Sequence, residues 1–98
     1  MKINEFREIV FSTLGYKLDI NENSVVSLLS VFAFSPSDQI CFKKDQNSMI
    51  LLESEFIRDS KGGVAKEVEI YYKRGGSIPA LLAGITLSLW EKTTIQVM

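Results

Sequence analysis

The chain has 98 residues, 46% of them hydrophobic and 23% charged, the balance of an ordinary globular protein with room for one core. Eleven basic against twelve acidic residues leave a net charge of −1, which argues against nucleic acid, because phosphate recognition needs a concentrated basic surface. With no histidine and the single cysteine Cys41, the commonest general base and metal ligand is missing and no internal disulfide can form.

In chain order, Phe6, Ile9, Val10 and Leu14 fall on one helical stripe and predict a helix from Asn4 to Leu14. Asn4 is placed as its N-cap, Glu5 sits in the first turn and Gly15 ends it. Tyr16 to Ile20 reads as a short extended piece, and Asn21-Glu22-Asn23 as a turn. Ser24 to Phe34 follows as a strand with almost no polar interruption: Val25, Val26, Leu28, Leu29, Val31, Phe32, Ala33 and Phe34. A strand facing water on one side alternates, so this one should be covered on both faces. A chain this short buries only about 65% of its unfolded surface, and full cover from within is hard to arrange.

Gln39 to Lys44 alternates as a strand, Asp45-Gln46-Asn47 turns, and Ser48 to Ile57 returns. Asp59 to Gly63 reads as a second hairpin loop, followed by an alternating strand from Val64 to Lys73. Gly75-Gly76 is a corner, and Ser77-Ile78-Pro79 opens a last helix with proline in its first turn. Ile78, Leu82, Ile85 and Leu89 form its stripe, and Gly84 weakens it slightly. Leu87 and Trp90 fall away from that stripe, and Ile95 and Val97 alternate as a further short strand would. The expectation is a single α+β domain over 1–98, an antiparallel meander of four to five strands with the N-terminal and C-terminal helices on one face.

Centring the first hairpin on Gln46 and the second on Lys61 puts Ile40, Phe42, Ile50, Leu52, Phe56, Val68, Ile70 and Tyr72 on one face. The same registers oppose Glu53 to Glu69 and Glu55 to Glu67 on the other, a like-charge arrangement from which a fold gains nothing. An acidic patch for a basic partner is the functional reading, and a solvated strand face the bland one.

Catalysis has little to work with. Cys41 has no histidine to activate it, and neither Gly62-Gly63 nor Gly75-Gly76 has the flanking pattern of a nucleotide site. No enzyme, cofactor or metal is expected. Met1 to Glu5 has no apolar continuation of the signal-peptide kind, and Ser77 to Trp90 is too short to span a membrane. A cytoplasmic protein that binds a protein partner is the expectation. The residues singled out for a partner are Val26, Leu28, Val31 and Phe32 on the apolar strand and Leu87 and Trp90 on the last helix.

A helix Phe6–Leu14, Gly15, the segment Leu18-Asp19-Ile20-Asn21-Glu22-Asn23 and the strand Val25-Val26-Ser27-Leu28 resemble the opening of class I chaperones of bacterial type III secretion. Val68 to Tyr72 followed by Ile78 to Lys92 resembles their closing strand and amphipathic helix, while the family's middle helix has no counterpart. The resemblance implies a homodimer that masks an extended segment of a client, with no ATP or metal. The competing expectation is an immunity-type inhibitor that docks a basic toxin or enzyme cleft through Glu53, Glu55, Glu67 and Glu69.

Overall fold

The computed structural model describes residues 2–94 and shows an α+β protein in two compact units, the first running to Glu53 and the second starting at Ser54. The alternating segment Ile95–Val97 lies outside the described residues.

In the first unit, helix α1 (Ile3–Leu14) leads into strands β1 (Tyr16–Ile20), β2 (Val25–Ser30), β3 (Ile40–Asp45) and β4 (Ser48–Leu51). They form one antiparallel sheet in the order β1-β2-β3-β4, the meander expected from the alternation. Gly15 ends α1 as its position requires: it takes φ +74°, and its N–H donates to the Phe11 carbonyl at 3.1 Å. The helix begins two residues earlier than it would with Asn4 as its cap, with Lys2 at the N-cap and no side-chain cap. The turn after β1 is held by Asn21, whose Oδ1 accepts from the N–H groups of Asn23 and Val25 at 2.8 and 3.1 Å.

The apolar strand is shorter than its composition suggests. β2 stops at Ser30, where the buried hydroxyl accepts from the Phe32 N–H at 3.1 Å and the carbonyl accepts from Ala33. The side-chain bond competes with the ladder and turns the chain, leaving Val31 and Phe34 exposed. The register is Leu18↔Leu28 and Ile20↔Val26 between β1 and β2, then Val26↔Phe42 and Leu28↔Ile40 between β2 and β3. Tyr16, Leu28, Ile40 and Phe42 are the buried apolar members of this inner face, beside the buried Ser30. The outer face carries Lys17, Asp19, Val25, Ser27, Leu29, Cys41, Lys43 and Ile50. The lone thiol is half-buried there, 3.4 Å from the Ser27 hydroxyl.

The first hairpin differs from expectation by one residue. Phe42 pairs with Leu51 and Lys43 with Ile50, so Leu51 rather than Ile50 joins the inner face. The cause is a two-residue turn, Gln46-Asn47, with Gln46 at φ +56°, the left-handed value a tight hairpin needs at its first central position. Exposure agrees: Ile40 is 1% exposed and Ile50 42%.

The second unit is helical where strands were expected. Ser54 accepts from the Ile57 N–H and caps a short helix α2 (Glu55–Arg58). The supposed hairpin loop instead joins α2 to helix α3 (Ala65–Glu67), which runs into a π-helix, Val68–Arg74, and then helix α4 (Ile78–Thr94). Gly63 explains why. It is buried so close to α2 that a Cβ would stand 2.0 Å from the Phe56 carbonyl oxygen, and Val64 N–H then donates to that same oxygen at 2.9 Å. The chain folds back on itself, and Val64 and Val68, one helical turn apart, are both buried. Ser77 caps α4 by accepting from the Ala80 N–H at 3.1 Å, and Leu81, Ile85 and Leu89 form its buried stripe. No helix among the described residues is long and apolar enough to cross a membrane.

Candidate protein-interaction site

The strand pairing that would oppose the four glutamates does not form among the described residues. Glu55 lies on α2, Glu67 on α3 and Glu69 on the π-helix, while Glu53 belongs to the first unit. No strand pair opposes them, because the second hairpin that would have done so is helical. Glu69 is moreover paired: its Oε1 accepts from Arg74 Nε at 3.4 Å, across the five-residue spacing of a π-turn.

The apolar candidates scatter by position. Val26 and Leu28 point to the inner face, Leu28 buried and Val26 half-buried. Val31 is exposed and Phe32 half-buried in the turn after β2. Leu87 and Trp90 are both exposed on α4 in the second unit.

The surface that stands out is one that composition did not single out. α1 has no buried residue along its 12 positions, although Ile3, Phe6, Ile9, Phe11 and Leu14 are large apolar side chains on it. An isolated helix of this length is marginal in water, so its stability has to come from packing of an apolar face. Ile3, Phe6, Val10 and Leu14 recur at intervals of three, four and four, the seam of a helix that pairs with another helix. A second face, carrying Arg7 and Phe11, turns toward the sheet. Arg7 reaches Asp19 on β1 at 3.7 Å.

Between that face and the outer face of the sheet lie two open cavities. One, of about 540 Å³, is lined by Arg7, Glu8, Phe11, Ser12, Lys17, Leu18 and Asp19. The other, of about 280 Å³, includes Phe11, Lys17, Leu29, Val31 and Pro36 in its wall. Phe11 and Lys17 border both. The signal for this site was present in the alternation of β1, which sends Lys17 and Asp19 to the face opposite Leu18. Its helix partners, Arg7 and Phe11, lie outside the stripe of Phe6, Ile9, Val10 and Leu14 and carry no periodic signal of their own. No cluster of three or more potential metal ligands occurs among the described residues.

Comparison with known proteins decides the family. A model described as "MAD: Mitotic checkpoint protein" matches residues 1–94. The chain belongs to this mitotic checkpoint family. It is 36% identical over 97 residues to the human mitotic spindle assembly checkpoint protein MAD1, covering 96% of this chain but 13% of that protein. The Saccharomyces cerevisiae spindle assembly checkpoint component MAD1 is 32% identical over 88 residues, covering 90% of this chain and 11% of that protein. The Arabidopsis thaliana mitotic spindle checkpoint protein MAD1 is 26% identical over 102 residues, and 14% of it is covered. The chain thus spans about an eighth of these MAD1 relatives. This membership overturns both the type III secretion chaperone resemblance and the immunity-type inhibitor. The shared features were a pattern of apolarity, helix–glycine–strand at one end and an amphipathic helix at the other, which many α+β proteins meet. The closing strand of the chaperone pattern, Val68–Tyr72, is a helix here.

Proposed function

We propose that this chain is a dimerising, protein-docking domain of a spindle assembly checkpoint protein, acting by binding rather than by catalysis. The observation that carries the reading is α1: an apolar seam, Ile3, Phe6, Val10 and Leu14, on a helix with nothing buried. Pairing with the same helix of a second copy covers that seam symmetrically, its spacings of three and four residues keeping the apolar side chains on one side of the helix. The names of the MAD1 relatives, each a spindle checkpoint protein or component, support the cellular role. Light scattering on the purified chain should return twice its 11.0 kDa mass. Phe6→Glu should return a monomer whose β-sheet circular dichroism is preserved. A wild-type chain that stays monomeric at high concentration overturns the dimer. In cells, the Phe6→Glu change in the whole protein should shorten the mitotic delay caused by a spindle poison.

A further inference from the structure

The groove beside α1 has a chemistry of its own. Its apolar wall is Phe11, Leu29, Val31 and Pro36, with Phe11 and Val31 exposed. The hydroxyls in that wall are already engaged: Ser30 Oγ accepts from the Phe32 N–H and Ser35 Oγ from the Ser37 N–H. Lys17 is the one ionisable residue lining this cavity. Arg7, in the wall of the neighbouring cavity, is paired with Asp19, and no ion pair to Lys17 forms among the described residues.

We propose that this groove holds an extended segment of a partner protein in which a carboxylate, seated on Lys17 Nζ, lies between apolar side chains that fill the two cavities. The inference rests on the protein-docking reading and names the chemistry of the partner. Lys17 borders both cavities, so an acidic residue at the centre of the segment reaches it while the flanking side chains pack on Phe11 and Leu29. Glu8 and the Arg7-paired Asp19 also line the larger cavity, so it is the smaller one, with Lys17 as its one charge, that disfavours a basic segment. Nucleic acid would need several cations in place of one. A second copy's α1 belongs to the Val10 seam, and Phe11 follows Val10 by a rotation of about 100° around the helix.

The test is a selection of a random-peptide display library on the whole chain, followed by titration of a fluorescent form of the enriched sequence. Enrichment of an acidic residue flanked by apolar ones is expected. Lys17→Glu should weaken that peptide about tenfold or more, as reversal of one partner in a partly desolvated charge pair does. Lys17→Arg should retain it, Phe11→Ala should weaken it severalfold, and added salt should weaken it for the wild type. Lys17 is exposed, so its variants should fold, which circular dichroism checks. Light scattering on Lys17→Glu should still return a dimer, which separates this groove from the dimer seam. Peptides without acidic enrichment, no peptide at all, or equal affinity for Lys17→Glu each overturn the proposal.

Discussion

The ring of Tyr71 occupies the place where a side chain on Gly84 would begin: a Cβ there would stand 2.5 Å from Tyr71 Cε2 and 2.8 Å from Cδ2. Glycine in the middle of α4 therefore lets the π-helix approach, and the helix propensity it forfeits is offset by that contact. Gly84→Ala should lower stability by about 1 kcal/mol, since an overpacking cost of about 1–3 kcal/mol outweighs a helix gain of about 1 kcal/mol. In a Tyr71→Ala background the same substitution should become stabilising. Urea unfolding of the four proteins gives the sign change, and additivity across the cycle would refute the close approach.

Gly63 is the more severe case. A methyl there meets backbone, the carbonyl oxygens of Phe56 and Asp59 at 2.0 and 2.8 Å, and neither can swing aside. Gly63→Ala should destabilise by about 3 kcal/mol or more, the upper end of what overpacking does. Gly62→Ala, next to it and exposed, should differ little from wild type.

Ile40 and Ile50 test the register of the first hairpin. Ile40→Ala should cost about 2–5 kcal/mol as a cavity in the inner face, and Ile50→Ala less than about 0.5 kcal/mol. The one-residue slip that aligns Ile50 with Phe42 would make the second substitution nearly as damaging as the first. Thermal melts of the two variants distinguish the pairings.

The Arg7–Asp19 pair joins two partly exposed side chains at 3.7 Å. Asp19→Asn should change stability by less than about 1 kcal/mol, and the difference should shrink in high salt. A larger loss would mean that the pair fixes the angle at which α1 leaves the sheet.

Local signals carried much of the first unit. Gly15 at a helix end, the Asn21 loop and the alternation of β1 and β3 each act through chemistry within a few residues, and each was legible. Ser77 before Ile78-Pro79 was legible for the same reason. The strand expected at 64–73 failed because Val68, Ile70 and Tyr72 alternate at period two while Val64 and Val68 also recur one helical turn apart. What decides between these readings is the burial of Gly63 against α2, a contact that no periodicity records. The acidic face fell with that strand. At the candidate site, no motif marks Lys17 in the sequence. Its meaning comes from Phe11, six residues earlier, and from Leu29 across the sheet, and only the register brings those together.

The π-helix from Val68 to Arg74 winds with one residue more between bonded groups than an α-helix, as the Gly75 N–H to Ile70 carbonyl bond at 3.1 Å records. Such a stretch holds a spare residue. Losing one would let the chain tighten into an ordinary spiral without unfolding, yet it would pull Arg74 off Glu69 and rotate Tyr71 off Gly84. Insertions and deletions among relatives should therefore be tolerated here by the backbone, with glycine at position 84 surviving only in those that keep the wider winding.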